Sequence, residues 1–208
     1  MGSPGKKEVK GIEQSSRKMM PRSVSLIIPV FNEGLGISEL EHRVSAVLGD
    51  ENFEFEIIII DDGSNDSTLE ELQKWRANDT RLIIVELSRN WGHQAAINAG
   101  LDLAQGDAVI FMDGDLEDPP EVIPQLLEAW LEGYNAAYAV KHSRKQGLFR
   151  KILTNIYYRL IKATTRYGVE PQSGMFSLID KKIAKELRNI KESNKSYPNL
   201  RSYVGFKQ

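Results

Sequence analysis

A chain of 208 residues suits one domain, long enough to bury a sizeable core without disulfides or a structural metal. Its 27 basic and 29 acidic side chains nearly cancel, for a formal net charge of −2, so a chain-wide nucleic-acid surface is excluded and no nucleic-acid partner is expected. The absence of cysteine rules out thiolate catalysis, disulfide redox chemistry and Cys-bound zinc, and fits a reducing compartment such as the cytoplasm.

Residues 1–22 are polar and basic and lack the apolar stretch of a signal peptide, so they are read as a flexible tail before a single domain over 23–208. No run approaches the roughly 20 apolar residues that cross a bilayer. From Val24 onward, short apolar runs alternate with helical patterns: strand 24–30, helix 37–48, strand 55–60, helix 67–77, strand 81–87, helix 94–104, strand 107–112 and helix 119–132. The strands are β-branched and apolar at successive positions, as a strand covered on both faces requires, and repeated βα units predict an α/β fold with a parallel sheet between two helical layers. Ser38-x-x-Glu41 and Ser67-x-x-Glu70 match capping boxes, and Asp118 before Pro119-Pro120 reads as an N-cap acid.

Polar clusters follow each strand: Phe31-Asn32-Glu33, Asp61-Asp62-Gly63-Ser64, Ser88-Arg89-Asn90-Trp91-Gly92-His93, and Asp113-Gly114-Asp115-Leu116-Glu117-Asp118. In a parallel sheet they share the carboxyl edge, where open α/β sheets bind their ligands. Asp113, Asp115 and Glu117 recur at every second residue, so an extended backbone would aim them the same way. Two carboxylates about 4 Å apart repel by roughly 4 kcal/mol at an effective dielectric near 20, and a third adds to this. Mg²⁺ or Mn²⁺ would relieve that repulsion while accepting oxygens from a diphosphate ester, and Gly114 would let a sugar or phosphate come close to the backbone. The simpler alternative is a solvated acidic loop that caps the helix at Pro119.

Taken in order, Ile28-Pro29-Val30-Phe31-Asn32-Glu33, Ile60-Asp61-Asp62-Gly63-Ser64-Asn65-Asp66, the Ser88–Ala96 segment and Asp113-Gly114-Asp115-Leu116-Glu117-Asp118-Pro119-Pro120 resemble glycosyltransferase family 2. Within it they look most like the polyprenyl-phosphate and dolichol-phosphate transferases, over about residues 22–208. The resemblance implies a GT-A fold, a Rossmann-like and mostly parallel sheet, and inverting, metal-dependent transfer of a sugar from a UDP- or GDP-sugar to a polyprenyl phosphate. It places Pro29, Phe31 and Glu33, with Asp61 and Asp62, around the base and ribose of the nucleotide. Gly92 and His93, next to Gln94, shape the donor pocket. Asp113, Asp115 and Glu117 take the metal and diphosphate positions beside Gly114, although Glu117 stands where Gln is common. Asp115 is further implied as catalytic, with Lys141 and Arg144, near Arg150 and Lys151, as the cations facing the acceptor's negative charge.

Residues 147–166 space Leu148, Ile152, Ile156, Leu160 and Ala163 along one helical face among Arg and Lys side chains. Such a helix either packs on the domain or lies on an anionic membrane surface, and the resemblance favours a peripheral place at the cytoplasmic face of a membrane. Relatives commonly show Gly-Asp-Phe-Arg-Leu where this chain has Gly174-Met175-Phe176-Ser177-Leu178, which opens a second expectation: a different acceptor, or a binding module with impaired turnover. Relatives often continue into transmembrane helices beyond the point where this chain stops. A sugar nucleotidyltransferase is disfavoured, because Phe31-Asn32-Glu33-Gly34 is not the Gly-rich, basic phosphate loop that chemistry needs.

Overall fold

The computed structural model describes residues 22–49, 52–140, 173–190, 197, 200 and 205–208. Along the chain run β1 (Ser23–Val30), α1 (Ile37–Gly49), β2 (Glu54–Asp61), α2 (Thr68–Asn78), β3 (Leu82–Glu86), α3 (His93–Leu103) and β4 (Ala108–Phe111). A 3₁₀ turn (Pro120–Val122) leads into α4 (Ile123–Leu131), followed by β5 (Ala136–Val140), β6 (Ser173–Asp180) and α5 (Lys181–Asn189). The expected β/α alternation is present throughout the first half, with ends shifted by a residue or a few.

One sheet contains all the strands in the order β3-β2-β1-β4-β6-β5. Neighbours among β3, β2, β1 and β4 pair in parallel, whereas β6 is antiparallel to both β4 and β5. The alternation of side chains along each strand supplies two cores. Leu26 and Ile28 of β1 and Ile57 and Ile59 of β2 pack towards Leu40 and Val44 of α1, Trp75 of α2 and Leu126 of α4. Ile27, Ile58, Ile60 and Phe111 face the other way, towards Ala96, Ile97 and Leu101 of α3 and Ile183 and Leu187 of α5. Both faces are thus covered by helices, which is why the central strands read as uninterrupted apolar runs.

Three local expectations are corrected. Ser38 lies inside α1 and is no cap. Ser67 holds the N-cap position of α2 but its side chain makes no capping bond; Asp66 instead receives the Thr68 N–H at 3.0 Å. The segment expected as one helix over 119–132 starts as a 3₁₀ turn with Pro119 at its N-cap position and becomes α4 at Ile123.

Strands β5 and β6 and helix α5 have no counterpart in the sequence reading. The five residues of β5, Ala-Ala-Tyr-Ala-Val, show no alternation, and α5 buries only Ile183, Ala184 and Leu187. Its start is nevertheless well formed, since Asp180 accepts the Lys182 and Ile183 N–H groups, each at 3.0 Å. The tail over 1–21, Lys141, Arg144, Arg150, Lys151 and the amphipathic stretch 147–166 lie outside the described residues. Among the described residues no helix is long and apolar enough to cross a membrane.

Arg43 of α1 clamps Glu121 of the 3₁₀ turn through Nε to Oε1 at 2.9 Å and a second nitrogen to Oε2 at 2.6 Å. The geometry is bidentate, yet the two side chains are 26% and 54% exposed, so solvent screens the pair. Arg43→Ala is therefore expected to lower the midpoint of urea unfolding only slightly, with the loss shrinking further in high salt.

Candidate active site

The sheet reverses its winding between β1 and β4: from β1 the chain steps outwards through β2 to β3, then returns to β4 on the opposite side of β1. The loops that leave β1 and β4 must therefore diverge, and a crevice opens between them at the carboxyl edge. A cleft of about 370 Å³ lies there, within the range of small-molecule sites. Of the residues singled out in the sequence, Pro29, Phe31, Glu33, Asp62, Gly92, His93, Asp113, Gly114 and Asp115 line it, and Val30, Asn90 and Ala96 complete the wall. All three belong to segments already selected in the sequence, although none of them was assigned a role there.

Asp61 and Glu117 do not line the cleft. Asp61 is 1% exposed, and its Oδ1 receives both the Ser64 N–H at 3.0 Å and the Ser64 hydroxyl at 2.5 Å. Its carboxylate shapes the turn after β2. Glu117 fails for a backbone reason. The stretch after β4 is a turn centred on Gly114 and Asp115, and Leu116 adopts φ 60°, so the extended alternation expected for the acids does not occur. The Glu117 N–H donates to Asp115 Oδ1 at 2.9 Å while its own side chain is exposed. Glu117→Ala should accordingly change metal-dependent nucleotide affinity by less than about threefold, the scale of one exposed contact, as titration calorimetry can measure.

Asp62 is 3% exposed and uses both carboxylate oxygens on the loop after β3, taking the Trp91 N–H at 2.8 Å and the Gly92 N–H at 2.9 Å. It thereby pins the entry to α3, where His93 is the first helical residue, and brings His93 Nε2 to 3.4 Å from Asp113 Oδ1. Gly114 is a glycine for packing. A Cβ there would stand 2.6 Å from Val30 Cγ1 and 3.1 Å from the Pro29 carbonyl oxygen, so the residue lets the loop after β4 close against β1. Gly114 also lines the cleft, so this packing role stands beside the expected close approach of a phosphate.

Negative charge gathers at the mouth of the cleft. Burial raises the Glu33 carboxyl above its ordinary range, and repulsion from Asp115 and then Asp66 adds to the shift. A divalent cation would remove that repulsion, and the oxygens of Asp113 and Asp115 are of the kind Mg²⁺ or Mn²⁺ prefers. Among the described residues, however, no group of three or more His, Cys, Asp or Glu side chains is placed to hold an ion. The carboxylates fit an ion that draws its remaining ligands from a substrate and from water.

Of the two positions that depart from the relatives' pattern, Met175 packs against the core under α3, and Ser177 is 3% exposed with its hydroxyl donating to the Met175 carbonyl at 2.9 Å. Register sets Ser177 beside Phe111 of β4, and neither residue lines the cleft.

Residues 25–188 match the model of a protein family described as glycosyl transferase family 2. The chain belongs to this family. As a family 2 glycosyltransferase it is 40% identical over 185 residues to the uncharacterized glycosyltransferase YkcC of Bacillus subtilis, an alignment covering 88% of this chain and 57% of that one. It is 34% identical over 180 residues to the undecaprenyl-phosphate 4-deoxy-4-formamido-L-arabinose transferase of Klebsiella pneumoniae, covering 86% of this chain and 55% of the relative. Among solved structures, the mannosyltransferase PcManGT from Pyrobaculum calidifontis in complex with GDP-Man and Mn²⁺ superposes with a TM-score of 0.62 at 17% identity, over 91% of this chain and 54% of the other. That likeness is one of fold, and it supports the GT-A architecture expected from the sequence. The chain spans a little over half the length of these curated relatives.

Proposed function

We propose that this family 2 glycosyltransferase moves a sugar from a UDP- or GDP-sugar to a polyprenyl phosphate with inversion at the anomeric carbon, using Mg²⁺ or Mn²⁺. The observation that carries the reading is the meeting of Asp113 and Asp115 with Phe31, Glu33 and the start of α3 in one cleft at the switch point of the sheet. The activity named for the Klebsiella relative supports the lipid phosphate acceptor, and the GDP-Man and Mn²⁺ of the Pyrobaculum complex support the nucleotide-sugar donor with a metal. Residues from 23 onward would form the catalytic domain, working as a peripheral protein at the cytoplasmic face of a membrane.

In this reading Phe31, 40% exposed on the cleft wall, offers an aromatic face to the base, and Pro29 and Glu33 bound the pocket for base and ribose. Asp113 and Asp115 would hold the metal, which when bound supplies positive charge against the leaving nucleoside diphosphate. An oxygen of the acceptor phosphate attacks the anomeric carbon from the face opposite the diphosphate. The new carbon–oxygen bond forms as the old one breaks, and the electron pair leaves on the diphosphate oxygen. The acceptor is already an anion, so no general base is required and positioning dominates the catalysis. Asp115 acts at the leaving-group side, while Lys141 and Arg144 are proposed to neutralise the acceptor phosphate.

The test is a thermal unfolding series with UDP and with GDP, each with and without Mn²⁺, followed by transfer assays with labelled sugar donors and undecaprenyl phosphate. A nucleotide at one hundred times its Kd adds about 2.7 kcal/mol of stability, which for a chain of this size is a rise in Tm of roughly 5–10 °C. The rise should require Mn²⁺. No shift with either nucleotide would end this reading, and a shift without glycolipid product would replace it with a donor-binding module or a different acceptor.

A further inference from the structure

Three consecutive backbone N–H groups of the loop after β1 are received by side chains of the neighbouring loop and the start of α2. Asn32 N–H donates to Ser64 Oγ at 2.9 Å, Glu33 N–H to Thr68 Oγ1 at 2.8 Å and Gly34 N–H to Asp66 Oδ2 at 3.1 Å. The lacing is reciprocal, since Asn65 N–H donates to Asn32 Oδ1 at 2.9 Å. Of the three acceptor residues only Thr68 is fully buried, at 0% exposure. Its hydroxyl donates to Asp66 Oδ1 at 2.5 Å, which orients the oxygen lone pairs towards the Glu33 N–H. Asn32 adopts φ 55°, a conformation that costs a non-glycine residue energy and persists where surrounding contacts impose it. The conformation of this loop is therefore imposed by its partners, and the loop carries Phe31 and Glu33 to the cleft.

We infer that Thr68 is a positioning residue of the donor site, whose buried hydroxyl fixes the Glu33 backbone and so sets the reach of Phe31 and Glu33 into the cleft. It governs affinity for a nucleoside diphosphate without touching it. The inference rests on the proposed function for the identity of the ligand, while the loop-fixing role stands on the hydrogen bonds alone. A valine at 68 has nearly the same shape but presents a methyl to the Glu33 N–H. That amide belongs to a half-buried residue and loses its acceptor when the hydroxyl goes, so the loop shifts while the core beneath it stays packed.

The experiment compares the full chain with Thr68→Val, Thr68→Ser and Ser64→Ala, reading amide hydrogen exchange residue by residue and the Kd for UDP and GDP in Mn²⁺. Thr68→Val should speed exchange at Glu33 and weaken the Kd, each by about tenfold, the scale of one hydrogen bond, while Ile58 and Ile59 in the core keep their protection. Thr68→Ser, which restores the hydroxyl, should return both to within about threefold of the wild type. Exchange and affinity unchanged in Thr68→Val would overturn the inference, as would a Thr68→Ser variant as defective as the valine, because the methyl would then be what matters. Should Thr68→Val not fold, Ser64→Ala carries the test at the adjoining link: faster Asn32 exchange with weaker binding supports the inference, and wild-type values overturn it. If the wild type binds neither nucleotide, the donor reading falls, and exchange alone then sustains or overturns the role of Thr68 in fixing the loop.

Discussion

Asp115→Ala is expected to abolish Mn²⁺-dependent nucleotide binding and to reduce sugar transfer by about 10²-fold or more, the scale on which a group stabilising transition-state charge is felt. Asp115 is exposed in the turn after β4, lines the cleft, and lies close enough to Glu33 to raise its carboxyl. The sign of the effect should depend on the metal. With Mn²⁺ present, alanine should remove the proposed ligand and weaken the nucleotide. In EDTA, the same change removes a negative charge facing a diphosphate, so residual binding should be equal or slightly tighter. Calorimetry in both conditions separates the two terms, and equal affinity for wild type and variant in Mn²⁺ would remove Asp115 from the metal site.

Gly63→Ala is expected to destabilise the fold by about 3 kcal/mol, combining the cost of a left-handed conformation for a residue with a Cβ and that of forcing an atom into a packed contact. Gly63 has φ 72°, and a Cβ would stand 2.5 Å from the Arg89 carbonyl carbon, 2.7 Å from Arg89 Cα and 2.8 Å from Asn90 N. All three are backbone atoms and cannot swing aside as a side-chain tip would. Nor can the loop after β3 retreat, because Asp62 ties it down through the Trp91 and Gly92 N–H groups. The midpoint of urea unfolding should fall, and nucleotide affinity should fall with it, since the strained contact bears on the loop that carries Asn90, Gly92 and His93. A variant with wild-type stability would mean that this contact yields far more easily than packed backbone does.

Much of the site was legible because its residues follow strands. Once the runs ending at Val30, Asp61, Glu86 and Phe111 are read as parallel neighbours, the polar residues after them must share an edge, and the cleft brings together most of those selected. The misreadings have a common origin. Asp61 and Glu117 were judged by residue type and spacing, yet their surroundings are decided by hydrogen bonds: Ser64 engages Asp61, and a turn takes Glu117 off the line of Asp113 and Asp115. A carboxylate on a page of sequence carries no sign of whether it will face a ligand or an amide.

By itself the sequence determined the alternation of strands and helices, the burial of the central strands on both faces and the set of loops from which a site could be built. These follow from apolar periodicity, which is a property of neighbouring residues. Only the tertiary structure decided that β4 returns beside β1, that β6 enters the sheet antiparallel, and that Thr68 of α2 holds the backbone of Glu33 from 35 positions away. Each of those depends on a hydrogen-bonded contact between distant segments, and its energy is set by distance and direction in three dimensions, which no local pattern encodes.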